Sequence, residues 1–213
     1  MAKLIYTYAV MNSGKSNALL QANYNYISEG HKTILISHKI DNRFGVGVIA
    51  SRIGLQAPCH SIDESTNIFD LIQEEVAKIG EVACIFADEV QFYTEDQIEQ
   101  LSDVVDVLNI PVMAYGLKTN FQGSLFDGSS KILAYADEIR MLKQVCHCKK
   151  QSNMILRYGP DGSIQKDGDP IAVGAESMYK SVCRKHWKEG NLGQAVYDKL
   201  GIKNPFKSSE ENV

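Results

Sequence analysis

Three groups of residues have types and spacings suited to chemistry. The run Ala9-Val10-Met11-Asn12-Ser13-Gly14-Lys15-Ser16 fits G-x-x-x-x-G-K-[ST], except that alanine stands at its first position. A loop of this kind holds phosphate: backbone N–H groups and a helix N-terminus surround the oxygens, the lysine neutralises them, and the last hydroxyl reaches a magnesium ion. Alanine at the first position adds one methyl group, which ordinary backbone angles tolerate. The second group is Asp88-Glu89, two carboxylates that close the apolar run Val82 to Ala87. In phosphate-loop proteins an acid at such a strand end holds magnesium beside a bound triphosphate. Its neighbour faces the other way and is placed to act as a base toward a hydroxyl or a water. The third group is Cys146-x-Cys148 with, far downstream, Cys183-x-x-His186. Thiolates and an imidazole suit a closed tetrahedral zinc site. The C-x-C spacing is tighter than the usual C-x-x-C, His147 is an alternative ligand, and unrelated thiols are the competing interpretation.

The elements around these groups follow from periodicity. Leu4 to Tyr8 is a β-rich run, and a helical stretch from about Lys15 to Glu29 ends at Gly30, a residue that turns left-handed without penalty. Thr33 to Ser37 and Val82 to Ala87 are further strands, separated by Ile68, Leu71, Ile72, Val76 and Ile79 at helical spacing. Thr94 and Gln97 have the spacing of a capping box, after which Ile98, Leu101, Val105 and Leu108 line one helical face. Pro111 to Tyr115 is another strand. Strands and helices that alternate in this way predict an α/β domain with a mostly parallel sheet. After Leu142 the character changes to short β-like pieces, with turn chemistry at Gly159-Pro160-Asp161-Gly162 and Asp167-Gly168-Asp169-Pro170. This predicts a small appended unit that a metal would hold together, because it has little core of its own.

Composition narrows the function classes. The chain has 213 residues, 44% of them hydrophobic, with 22 basic against 26 acidic side chains and a net charge of −4. That balance argues against nucleic acid or an anionic membrane as a partner, since both demand clustered Lys and Arg. No apolar run approaches the ~20 residues that span a bilayer. The apolar stretch Leu4 to Met11 is followed by Asn12-Ser13-Gly14-Lys15-Ser16 instead of a cleavage site, so a cytoplasmic location is expected. There the 5 cysteines stay reduced or bind metal. Cys84, within an apolar strand, and the isolated Cys59 read as structural. His31, His38 and His60 have no partner spacing.

Together with Asp88-Glu89-Val90-Gln91-Phe92, Tyr115-Gly116-Leu117 and Tyr179-Lys180-Ser181-Val182-Cys183-Arg184-Lys185-His186, the phosphate loop makes the sequence resemble the thymidine kinase family of bacteria, animal cytosol and poxviruses. The resemblance covers residues 3 to 190, with the motifs in family order. It implies an α/β, P-loop, RecA-like mostly parallel sheet with a small C-terminal zinc-binding lasso domain. The expected boundaries are 1–142 for the nucleotide-binding domain, 143–190 for the lasso domain and 191–213 for a C-terminal tail. It also implies transfer of the γ-phosphate of ATP to the 5′-hydroxyl of thymidine or deoxyuridine in nucleoside salvage. Magnesium, structural zinc, feedback inhibition by dTTP and a homotetramer belong to the same expectation.

Carried over residue by residue, Ala9 to Ser16 together with Asp88, Glu89, Val90 and Gln91 resemble the ATP site. Asp88 matches the magnesium-associated acid and Glu89 the catalytic base. Met11, Phe92, Leu117, Phe121 and Tyr179 match positions around the nucleoside; as residue types alone, Phe92 and Leu117 equally suit core packing. Ile171, Ala172, Val173 and Gly174 resemble a loop that holds the base through its backbone. Arg43 resembles a phosphate clamp, and Cys146, Cys148, Cys183 and His186 resemble the zinc ligands. Many members carry an acid two residues before Tyr179, where this chain has Ser177, with Glu176 one residue earlier. From the residues without the resemblance, a RecA-like P-loop ATPase with a zinc interaction module stands as the alternative.

Overall fold

The apolar runs of the first half of the chain become strands and helices of a parallel α/β layer. The computed structural model describes residues 1–41, 45–169 and 179–206. These divide into two units. The first comprises Met1–Ala9, Ser13–Lys118 and Leu125–Leu142, and the second Val10–Asn12, Thr119–Ser124 and the described part of Lys143–Val213.

In the first unit the strands are β1 (Leu4–Ala9), β2 (Thr33–His38), β3 (Val48–Ala50), β4 (Gln56–Pro58), β5 (His60–Ile62), β6 (Cys84–Asp88), β7 (Val112–Leu117) and β8 (Glu138–Met141). Six of them form one sheet in the order β5-β2-β6-β7-β1-β8. Every pairing in that sheet is parallel. β3 and β4 make a separate antiparallel hairpin. The helices are α1 (Lys15–Ser28), α2 (Ile68–Ile79), α3 (Glu95–Leu108) and α4 (Asp127–Tyr135). Strands buried on both faces read as continuous apolar runs, and that is how β1, β2 and β6 read. Strand β6 starts two residues later than its apolar run because its ladder with β2 begins at Thr33 opposite Cys84. The capping box is present in full: the Thr94 side chain accepts from the Gln97 N–H, and the Gln97 side chain accepts from the Thr94 N–H. Ile85, Ile98, Leu101, Val104, Val112 and Ile132 lie in the largest core cluster.

The second unit contains β9 (Gln144–Val145), β10 (Gln151–Ser152), β11 (Met154–Tyr158), β12 (Ile164–Gln165), β13 (Tyr179–Val182), α5 (Arg184–Glu189) and α6 (Gln194–Leu200). β9 and β10 form a hairpin, and β12-β11-β13 form an antiparallel sheet. The tail expected from residue 191 needs correction. Leu192, Val196 and Tyr197 are buried in the core of this unit with Leu156, Tyr158 and Val182. Val196 and Tyr197 give α6 an apolar side, and burying it with Leu192 is what fixes the segment. Residues 207–213 lie outside the described residues. Among the described residues no helix is long and apolar enough to cross a membrane.

Candidate functional site

The carboxyl ends of β1 and β6, with only β7 between them, place the phosphate loop and the acidic pair on one edge of the sheet. This is where ligands bind in open parallel sheets. The chain leaves β1 at Ala9, which is buried and lies within the strand ladder, so the alanine takes ordinary strand geometry. Asn12 and Gly14 are left-handed, with φ of 62° and 82°. Gly14 caps α1, whose first turn has neither a side-chain cap nor an acidic residue. An N-terminus of that kind attracts an anion through its exposed N–H groups and its dipole.

Asp88 ends β6 and is buried. The Ser16 hydroxyl donates to its Oδ2 at 3.2 Å, and the Glu89 N–H donates to its Oδ1 at 3.0 Å. Burial first, then the Glu89 charge, push Asp88 up to about 7, while the Lys15 charge pulls it down. A hydroxyl and a carboxylate held together in this way are suited to a divalent cation.

Glu89 is left-handed (φ 53°) and buried. The Gln91 amide donates to its Oε2, while the Gln91 carbonyl oxygen accepts from the Leu117 N–H at 2.9 Å. Gln91 therefore bridges the Glu89 carboxylate to β7. Gly116 makes room for it, since a Cβ there would stand 2.8 Å from Gln91 Oε1 and 2.9 Å from Val90 Cγ2. The Leu117 carbonyl accepts from the Tyr6 hydroxyl at 2.9 Å and the Ser129 hydroxyl at 2.6 Å. The bonds of Leu117 to Gln91 and Tyr6 are not signalled by local spacing, because they join elements far apart in the chain.

The other expected residues divide between the units. In the first, Val90 and Leu117 are buried, and the Phe92 ring packs edge-on against Phe126 at 6.1 Å. In the second, the Met11 carbonyl accepts from the Ser181 hydroxyl at 2.7 Å, and the Asn12 carbonyl accepts from the Gln144 amide, also at 2.7 Å. Phe121 and Tyr179 lie 6.4 Å apart, ring centre to ring centre. The Arg157 guanidinium, opposite Tyr179 in the ladder, lies 5.2 Å from the Phe121 ring centre and 6.0 Å from that of Tyr179. Sequence reasoning did not single out Arg157, because only the β11–β13 register brings it to these rings. Arg43, Ile171, Ala172, Val173, Gly174, Glu176 and Ser177 lie outside the described residues.

The second unit also assembles Cys146, Cys148, Cys183 and His186, whose ligand atoms all lie within 4.8 Å of one another. The C-x-C spacing works because the β9–β10 hairpin turns tightly: Lys149 N–H donates to the Cys146 carbonyl at 2.8 Å, with Lys149 left-handed at φ 65°. Cys183 caps α5, and His186 follows one turn later on the same side. Cys148 Sγ lies 3.8 Å from Cys183 Sγ, and His186 Nδ1 lies 3.3 Å from Cys146 Sγ and 3.5 Å from Cys183 Sγ. A tetrahedron with zinc–sulfur bonds of about 2.3 Å and zinc–nitrogen bonds of about 2.0 Å has edges of about 3.8 and 3.5 Å. The donor set is therefore compatible with zinc. His147 is outside this group of four; its ring stacks on His186 at 4.1 Å and packs against Gly193. The two remaining thiols are structural in character: burial pushes Cys84 up to about 12 and Cys59 up to about 11.

An all-parallel sheet with a phosphate loop on one strand and an acid on a strand two places away, accompanied by a Cys₃His unit, defines a P-loop α/β protein of the RecA-like class. The family model described as thymidine kinase matches residues 2–187. A thymidine kinase of Rhodopirellula baltica is 44% identical over 211 residues, covering 99% of this chain and 97% of that protein. Another, from Mannheimia succiniciproducens, is 46% identical over 189 residues, covering 89% and 96%. Among solved structures, a DNA replication initiation factor overlaps 70% of this chain and 42% of its own, at 14% identity and a TM-score of 0.38. The chain belongs to the thymidine kinase family, and it is an enzyme of that family.

Proposed function

We propose that the chain transfers the γ-phosphate of ATP to the 5′-hydroxyl of thymidine or deoxyuridine. The observation that carries this reading is the acidic pair: Asp88 bonded to the hydroxyl of the phosphate-loop Ser16, and Glu89 held beside it by Gln91. The N–H groups of residues 9–16 and the Lys15 ammonium bind the phosphates of ATP. Ser16 and Asp88 hold the magnesium ion, which neutralises charge on the phosphoryl oxygens. Glu89 takes the proton of the 5′-hydroxyl as that oxygen bonds to the γ-phosphorus and the bond to the bridging oxygen of ADP breaks.

Resemblance to the family assigns Met11, Phe92, Leu117, Phe121 and Tyr179 to the nucleoside. Cys146, Cys148, Cys183 and His186 hold a structural zinc ion. Family membership supports extending the reading to dTTP as feedback inhibitor, to a homotetramer and to a cytoplasmic place in nucleoside salvage.

The test is a panel of nucleosides incubated with pure zinc-replete protein, ATP and magnesium, with detection of the monophosphates. Thymidine monophosphate is expected. Its absence would sink the reading, and ATP hydrolysis indifferent to nucleosides would favour the ATPase alternative.

A further inference from the structure

Two side chains of the second unit reach successive carbonyls of the phosphate loop. Ser181 donates to the Met11 carbonyl and Gln144 to the Asn12 carbonyl, each at 2.7 Å. Each donor stands two residues before the first cysteine of a ligand pair, Gln144 before Cys146 and Ser181 before Cys183. Both belong to strands, β9 and β13, that lead directly into those pairs.

A trans peptide is planar, with its N–H opposed to its carbonyl. Fixing the Met11 carbonyl therefore fixes the direction of the Asn12 N–H, and fixing the Asn12 carbonyl fixes that of the Ser13 N–H. Asn12, between the two fixed peptides, is left-handed at φ 62°. Successive N–H groups turned through such a residue form a concave donor surface for an anion. Asparagine is one of the side-chain-bearing residues that visit the left-handed region, and the bonds to the two flanking carbonyls hold it there.

We propose that Gln144 and Ser181 are positioning residues for ATP, which aim the Asn12 and Ser13 N–H groups from the strands that carry the metal ligands. The inference rests on the reading of residues 9–16 as the ATP site. It makes the Cys₃His unit a determinant of nucleotide affinity as well as a structural tie.

The experiment measures the Kd of MgATP by calorimetry without nucleoside, alongside zinc content and the melting temperature of the nucleotide-free protein. Ser181→Ala and Gln144→Ala should each weaken MgATP about threefold, and the double variant about tenfold, the scale of lost hydrogen bonds. Zinc stoichiometry should hold, and Ser181→Thr, which keeps the hydroxyl, should restore affinity to within twofold of the parent. A zinc-replete double variant that binds MgATP within twofold of the parent overturns the inference. Should the double variant lose zinc, Gln144→Met, which keeps the length and drops the donor, decides by the same criterion. Lys15→Ala separates the two levels. If it abolishes ATP binding while the double variant changes nothing, this inference alone falls; if it leaves affinity intact, the ATP reading of the loop falls.

Discussion

The end of β6 and the Cys₃His unit are built in opposite ways. Asp88 and Glu89 stand at the end of β6, on a sheet whose core is built of buried Leu, Ile and Val with no chemistry of their own. In the second unit Cys146 and Cys183 are themselves members of the buried core, beside Leu156, Val182, Leu192 and Tyr197. There the site and the core are the same residues. Chemistry can be deleted from the first region with the fold left standing, whereas deleting a ligand from the second removes part of what the fold consists of.

The largest expected effect tests that contrast directly. Cys148→Ser should lose stoichiometric zinc, for which structural sites contribute on the order of 10 kcal/mol. Amide exchange should then accelerate through β9 to β13 while β1, β2, β6 and β7 stay protected. Zinc retained by the variant would point to a different ligand set, His147 included.

In the first region, Glu89→Gln should lower turnover by about 10²-fold, the usual scale for losing a general base, with the ATP-induced rise in melting temperature preserved. Near-parent turnover would place the base elsewhere.

Asp88 gives the next effect, and its sign is informative. Burial holds its proton up to about 7 against an ordinary 3.8. The nucleotide-free folded state thus binds this proton more tightly than the unfolded chain, and stability drains away as pH rises from about 4 to about 7. Asp88→Asn should therefore be the more stable protein in urea melts at pH 8, its advantage closing as pH falls toward 4, while phosphorylation is lost. An advantage that does not depend on pH would contradict the assignment.

The smallest effect is the control. Thr94→Ala removes the capping box of α3 and should cost about 1 kcal/mol with kcat unchanged. A large kinetic effect would mean that fold and chemistry are coupled in the first region too.

The two regions were also unequally legible. The phosphate loop, the acid at the strand end and the ligand pairs were visible because each is a local pattern that chemistry forces into a few adjacent positions. The parallel layer was visible because doubly buried strands are continuous apolar runs. The β3–β4 hairpin, β5 and β8 were not, since strands of three or four residues carry too little periodicity to stand out. Helix α6 was hidden because its polar flanks resemble a tail. Gln91 lay inside a recognised motif, yet its bridge from Glu89 to Leu117 depends on β7 lying next to β6, which no local spacing reports.

That bridge has a directional logic. A backbone N–H is only ever a donor, so the Leu117 N–H commits the oxygen end of Gln91 and leaves only its NH₂ end to face Glu89. The main chain of a neighbouring strand, which cannot mutate its N–H away except to proline, thus dictates through one amide that Glu89 Oε2 meets a hydrogen-bond donor before any substrate arrives.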